Sequence, residues 1–444
     1  MSAPDALVGG VTSSDAPATG ASPEALVTVV GLDAAGALPH PALASALAGA
    51  GLVVGAARHL GTVPVPPGVD TVVLGPLAPA LRRLADAVAA RVPAVVLASG
   101  DPGLFGIVRR LRAAGLPLRV VPAVSSVAAA FARAGLSWDG AAVVTAHGRD
   151  LRPALNACRA LPLVAVLTAP GAGAAELGAG LIGWSRRLLV AEHLGTDAER
   201  VREVTPAQAA SGTWPDPHVL LSVAMSAPAV PAPAVPEAGL SEAGLVAVGG
   251  MRVDNQPAAA PAGGWALAES RYAHRDSMIT KSEVRALVVA RLRPRLGRLV
   301  WDVGAGSGSV GIECALLGAA VLAVEQDPAS AATIRDNAAT HAVDVRIVVG
   351  RAPAALDALP EPDAVFVGGG GVDVLAAVVA RHPGRIVLTL AALDRVAPAV
   401  DLLRAAGYSV EGSQLSVARL ADLPGGSIRL AATNPVVVLT GERP

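Results

Sequence analysis

The strongest constraint on this chain is an alternation of short apolar runs with amphipathic segments, repeated on both sides of one Ala/Pro-rich stretch. In the first block ALVTVVG, GLVVG, TVVLG, AVVLASG, LRVVPA, AAVVTAHG and LVAVLTAP read as strands, with PALRRLADAVAARV and IVRRLRAAG as helices between them. In the second block LVWDVGAG, AVLAVEQD, VRIVVG, DAVFVGG, RIVLTL and PVVVLTG read as strands, with SVGIECALLG, SAATIRDNAATH and AVDLLRAAG as helices. The expectation is an α/β fold of largely parallel sheets covered by helices. Ligands in such sheets sit beyond the carboxyl ends of the strands, so the loops that follow strands carry the functional reading.

The Ser-, Ala- and Gly-rich residues 1–23 predict a disordered tail. The stretch 225–264, with its Ala-Pro alternation, predicts a semi-rigid linker. These divide the chain into domains at 24–224 and 265–444. Aromatic residues make up only 2%, so the cores must be built from Ala, Val and Leu. A net charge of −1 gives no bulk attraction for nucleic acid. Cys158 and Cys314 lie far apart with no ligand spacing, so neither a disulfide framework nor a metal site is expected. No segment reads as a signal peptide or a membrane span, and the expected location is the cytoplasm. Basic residues are almost all Arg; Lys281 is the only lysine.

The sharpest chemical signal is LVWDVGAGSGSVGIE. A strand ends at Val303, and Gly304, Ala305, Gly306, Ser307 and Gly308 turn the chain into a helix. Glycines there let backbone N–H groups approach a ligand closely. A second strand ends at Glu325, where a carboxylate can accept hydrogen bonds from both ribose hydroxyls. Asp302 is placed beside the same site. The spacing Gly306-x-Gly308-x-x-Gly311 also satisfies the dinucleotide fingerprint, so a nicotinamide cofactor stays open on spacing alone. Upstream, Thr280 is expected to cap a helix beginning at Lys281, with Glu283 completing a near capping box. In the first block, Ser99-Gly100-Asp101-Pro102-Gly103 and His147-Gly148-Arg149-Asp150 each follow a strand. Ser125 and Ser126 precede a helix, and the first strand runs into Gly31.

These motifs carry a resemblance. DVGAGSG with Glu325 resembles motif I of class I S-adenosylmethionine methyltransferases, and DAVFVGGGG resembles their loop after strand four. SGDPG, the SSV–AFAR–G–W–D run, HGRD and VAEHLGTDAERV are similar to tetrapyrrole methylase domains. Joined in this order with ITKSEVRAL, GRAPAAL and a late NPV, they resemble the precorrin-6Y C5,15-methyltransferase (decarboxylating) family of cobalamin biosynthesis. GLDAAG stands where that family usually shows GIGxDG, and AALDRV stands where it tends to have an Asn and an AVT-E pattern.

The resemblance implies a tetrapyrrole methylase fold, two α/β subdomains with a cofactor in the cleft, followed by a Rossmann-like class I methyltransferase. It implies S-adenosyl-L-methionine as the cofactor, a precorrin as the small-molecule substrate and a homo-oligomer, with no nucleic-acid or membrane partner. The implied reaction is methylation at carbons 5 and 15 with decarboxylation of the C12 acetate. Carried over residue by residue, Thr280, Gly304 to Gly308, Glu325 and Ala352 would hold the C-terminal cofactor. Gly31, Gly100, Asp101, Ser125 and Ser126 would hold the N-terminal one. Lys281 is the candidate catalytic residue, and Arg149, Arg271 and Arg285 are candidate partners of substrate carboxylates. Two alternatives stay open: a class I methyltransferase acting on another substrate such as RNA, and a non-catalytic tetrapyrrole carrier. The neutral charge and the absence of an aromatic after Asn434-Pro435 weigh against the first. Two separate cofactor loops weigh against the second.

Overall fold

The computed structural model describes residues 27–33, 41–225, 265–275 and 279–444. The expected tail over 1–23, the expected linker beyond Met225 and loop residues 34–36 lie outside the described residues. The chain forms two compact units, Met1–Ser126 and Val127–Pro444.

The first unit is one parallel sheet of β1 (Val27–Leu32), β2 (Leu52–Gly55), β3 (Asp70–Val73), β4 (Ala94–Ser99) and β5 (Leu118–Val121), in the order β3-β2-β4-β1-β5. β1, β2 and most of β4 are buried, as their unbroken Val/Leu runs require. Helices Pro41–Ala48 and Leu77–Ala89 set Leu43, Leu47, Ala80 and Leu84 against the sheet.

The second unit holds three sheets. β6 (Ala142–Thr145), β7 (Leu163–Leu167), β8 (Arg186–Glu192), β9 (Arg200–Val204) and β10 (His218–Ala224) form a mixed sheet, β6-β7-β10-β8-β9. Only β6 and β7 run parallel; β10, β8 and β9 pair antiparallel. This departs from the largely parallel expectation. β9 reads RVREV, and its charged Arg200, Arg202 and Glu203 suit a half-exposed edge strand that no apolar run announces.

The largest sheet comprises β11 (Leu299–Val303), β12 (Ala320–Glu325), β13 (Val345–Val349), β14 (Ala364–Val367), β15 (Arg385–Leu390) and β16 (Ser409–Leu415). β17 (Ala418–Asp422) and β18 (Ile428–Ala432) form a separate hairpin, and β19 (Val436–Glu442) returns to the sheet. The order is β13-β12-β11-β14-β15-β19-β16, with β19 antiparallel to both of its neighbours. β11 and β12 are buried at every residue, so their carboxyl ends present fixed backbone to the loops that follow. No helix among the described residues is long and apolar enough to cross a membrane.

The β6–β10 sheet and the β11–β19 sheet share one apolar core, in which Leu177, Leu181 and Trp184 join Trp301, Leu322 and Val324. Polar contacts stitch the same seam. Asn156 donates to the Gly297 carbonyl at 3.1 Å, and the buried Arg186 meets Asp344 at 2.9 Å. Arg186 also donates to the carbonyls of Arg159 and Leu161. Removing one partner of a buried pair leaves an uncompensated charge. Asp344→Ala should therefore destabilise this unit by on the order of 3 kcal/mol, read as a lower denaturant midpoint with an unchanged slope. An unchanged midpoint would show that Arg186 is satisfied by the carbonyls alone.

Candidate functional site

A cavity of about 710 Å³ opens at the carboxyl ends of β11, β12, β14 and β15. Its floor is the glycine turn after β11. Gly304 and Ala305 donate to the Val324 carbonyl, and Gly308 donates to the Ala305 carbonyl. Gly304 has φ +72°, and a Cβ there would sit 2.9 Å from the Gly369 nitrogen. The loops after β11 and β14 can thus touch only because the first is glycine. Gly368 to Gly371 form the facing wall.

Thr280, Lys281, Gly304, Ala305, Gly306, Ser307, Glu325 and Ala352 all line this cavity, together with Arg351, Phe366, Asp373, Thr389 and Val436. Gly308 does not. It precedes the helix Ser309–Leu316 with φ +75°, and a Cβ on it would lie 2.8 Å from Ile334. Its part is to let two helices close together.

Glu325 has a structural duty that the sequence did not announce. Its Oε2 accepts from the Gly306 N–H at 2.8 Å and its Oε1 from the Asp327 N–H at 3.0 Å. One carboxylate at a strand end thereby fixes both its own loop and the neighbouring glycine turn. Each oxygen keeps further acceptor capacity on the cavity side.

Asp302 lies behind the cavity wall rather than in it. It is 1% exposed, and its Oδ2 accepts from the Gly311 N–H at 2.8 Å. Burial, reinforced by the nearby Glu325 charge and opposed by the Gly311 N–H, pushes its carboxyl up to about 7. Arg285 is no substrate partner either. Its side chain is fully buried, with Nε 2.6 Å from Glu313 Oε1 and Nη1 2.6 Å from the Thr280 carbonyl. It donates to the Leu267 carbonyl as well. Arg271 and Arg149 are exposed. In HGRD it is Asp150 that has the visible local duty, capping the helix Leu151–Ala160 through the Arg152 N–H.

The expected capping box at Thr280 is not formed. The helix runs Ser282–Leu292 with Lys281 at its N-cap and no side-chain cap. Glu269 replaces the cap from thirteen residues upstream, accepting the Ser282 N–H at 2.8 Å. Arg419, on β17, grips Glu269 through two nitrogens at 2.7 and 3.0 Å and reaches Glu283 at 2.9 Å. Short loop motifs carry no signal for a partner this distant. Lys281 has no ion-pair partner among the described residues and faces the cavity.

In the first unit, Gly31, Gly100 and Ser125 converge at the carboxyl ends of β1, β4 and β5. The Gly100 N–H meets the Leu32 carbonyl. A Cβ on Gly31 would lie 2.4 Å from the Gly100 carbonyl and 2.7 Å from the Ala123 nitrogen. Asp101 turns inward on its own loop, accepting the Gly103 N–H at 2.7 Å. Ser126 is the first residue of the helix Ser126–Ala134.

A seven-stranded sheet with one antiparallel strand, a glycine turn and a strand-end acid define a class I methyltransferase architecture, here carried in one chain with a tetrapyrrole methylase fold. Family profiles agree: "Tetrapyrrole (Corrin/Porphyrin) Methylases" matches residues 41–210, and "Precorrin methyltransferase domain" matches 271–442. Precorrin-6Y C(5,15)-methyltransferase (decarboxylating) of Sinorhizobium sp is 37% identical over 342 residues, covering 73% of this chain and 75% of its own. The protein of that name from Mycobacterium tuberculosis (strain ATCC 25618 / H37Rv) is 31% identical, covering 75% of each chain. A probable cobalt-precorrin-6B C(15)-methyltransferase (decarboxylating) of Pyrobaculum calidifontis is 37% identical, covering 36% of this chain and 87% of its own. The chain belongs to the precorrin-6Y C(5,15)-methyltransferase (decarboxylating) family.

Two outcomes follow from this geometry. Glu325→Ala should weaken ligand binding in the cavity by about 1.5–3 kcal/mol, the cost of losing a charged acceptor, measured by calorimetry with S-adenosylmethionine. Unchanged affinity in a folded variant would reduce Glu325 to a loop latch. Arg419→Met should lower stability by about 1–2 kcal/mol, allowing for solvent screening of a partly exposed pair. Arg419 holds the Glu269 carboxyl at about 2, so its stabilisation is complete above about 4.5 and is lost as pH falls towards 2. The variant's stability should therefore change less with pH across that window than the parent's, as read by chemical denaturation.

Proposed function

We propose that this chain methylates precorrin-6Y at carbons 5 and 15 and removes the carboxyl group of the C12 acetate, using S-adenosyl-L-methionine. Carbon 5 falls to the N-terminal module, and carbon 15 with the decarboxylation falls to the C-terminal one. The observation that carries the reading is the cavity around Gly304–Ser307 and Glu325, within a chain whose relatives of that name align over three quarters of their length.

The residues fit the cofactor. Gly304 cannot bear a Cβ without striking the opposite loop, so the backbone is bare where a ligand would approach. Glu325 retains lone pairs suited to ribose hydroxyls. Thr280, Gly304 to Ser307, Glu325 and Ala352 would hold the group, which when bound supplies an electrophilic methyl carbon. The remaining work belongs to the protein. Gly368 to Gly371 and Phe366 shape the wall against which a flat ring system would lie. Lys281 and Arg351 place two cations at the cavity, suited to substrate carboxylates. An electron-rich ring carbon needs placement in a water-poor site more than a strong base, so the scarcity of classical catalytic groups is consistent with the chemistry.

Mass spectrometry of the product should show two added methyl groups and the loss of carbon dioxide. Lys281→Met should depress carbon 15 methylation or the decarboxylation by about tenfold or more, on the scale of a lost charged contact, with carbon 5 methylation and melting temperature nearly unchanged. Lys281→Arg keeps the charge but not the compact ammonium, and should fall between the two. Normal product from Lys281→Met would assign the lysine to the start of the helix alone.

A further inference from the structure

Ser99 ends β4, one residue before the Gly100–Asp101 turn, and is exposed. Its Oγ accepts from Arg58 Nη2 at 2.7 Å and lies 3.0 Å from His59 Nε2. Arg58 Nε points at the same ring nitrogen at 3.3 Å. Arg58 and His59 sit on the short helix Ala57–Thr62 after β2, the strand that pairs with β4.

The donor inventory settles the protonation state. A guanidinium donates and never accepts. His59 Nε2 accepts from Arg58 Nε, so it carries no proton of its own. The Ser99 hydroxyl, which accepts from Arg58 Nη2, is therefore the donor in its contact with His59 Nε2. The imidazole is neutral and protonated at Nδ1, which is buried on the side of the Leu97 backbone. Burial first, and then the Arg58 charge, hold its pKa below the ordinary histidine value. Its Nε2 is connected through an exposed hydroxyl to the strand-end side where ligands sit. The Ser99 oxygen still has one unused lone pair.

We propose that Ser99 and His59 form the proton-accepting pair of the N-terminal module, taking the proton released when methyl replaces hydrogen on a ring carbon. The proposal rests on the carbon 5 methylation argued above. A trigonal ring carbon that has gained a methyl group still holds its hydrogen, and the adjoining conjugated system is short of one electron pair. When the C–H bond breaks, its electron pair returns to the ring double bond. The proton goes to Ser99 Oγ as the Ser99 hydroxyl proton passes to His59 Nε2. The imidazolium then releases its proton to water, and no oxidant or reductant is required. Arg58 assists by polarising the hydroxyl and by making the imidazolium short-lived.

The test uses the full chain with precorrin and S-adenosylmethionine, resolving carbon 5 from carbon 15 methylation by product NMR. Ser99→Ala removes an exposed hydroxyl, and His59→Gln keeps an acceptor for Ser99 that cannot take up a proton. Each should slow carbon 5 methylation about 100-fold, within the range of a lost general base. Carbon 15 methylation, decarboxylation and S-adenosylmethionine affinity should stay at parent levels. In the parent, the His59 resonance should titrate below about 6.5, and the acid limb of the carbon 5 rate should follow it. The charged group that acts on His59 is Arg58, and in His59→Gln that limb should disappear. A parent-like carbon 5 rate in both variants, or an acid limb that survives His59→Gln, overturns the proposal. A parent chain that decarboxylates and methylates carbon 15 but never carbon 5 removes the reaction assigned to the module, and the proposal falls with it.

Discussion

The buried Arg285–Glu313 pair is the constraint on which the C-terminal site depends. Both side chains are fully enclosed, and neither has water to fall back on. Glu313 accepts from the N–H groups of Ala266 and Leu267, from the Tyr272 hydroxyl and from Arg285. Arg285 returns hydrogen bonds to the Thr280 and Leu267 carbonyls and lies 4.9 Å over the Tyr272 ring. A buried ion pair of this kind is worth little against an apolar replacement, yet removing one member is costly because the other stays charged. What it provides here is registry. Glu313 lies on the helix that the glycine turn launches, and Thr280 lies on the cavity wall. The pair fixes the distance between the glycine turn and the segment that carries Lys281.

A second set of bonds holds the same turn from the other side. Asn337 donates to the Ser307 and Ala273 carbonyls and accepts the Ala273 N–H. Glu325 ties Gly306, and Asp302 ties Gly311. Each bond is modest in net free energy, but a buried group left unsatisfied costs more than a made bond returns. The glycine turn is consequently over-determined, as a loop must be if it is to present backbone N–H groups without reorganising.

The central parallel strands were legible because burial on both faces writes an unbroken apolar run. β11 and β12 are buried throughout, and both were read directly. β9, β16 and β17 were not. Their residues are a mix of exposed and partly buried, and SVEGSQL or ARLAD looks like loop until a partner strand supplies the hydrogen bonds. The same division holds at the site. Gly304 to Ser307 and Glu325 were legible because strand, turn and helix are contiguous in sequence. The roles of Arg285 and Glu269 were not, since each is decided by residues that are distant in the chain. Arg285 looked like a free cation, and only the fold shows that it is consumed.

The one lysine sharpens this contrast. Where the structure buries or clamps a cation, as at Arg186, Arg285 and Arg419, it uses guanidinium bound through two or more nitrogens. Arginine suits that task because its planar fork matches several acceptors at once. An ammonium is a compact, strongly hydrated charge on a flexible stem, poor at clamping and well suited to meeting a carboxylate that arrives and leaves. Lys281 lines the cavity at a helix N-cap where its side chain caps nothing. Helix N-termini disfavour positive charge, so the position carries a small local cost that helix stability does not explain. In a chain that otherwise uses arginine, the proposed task at the cavity is what would offset that cost, and the cavity is what the lysine faces.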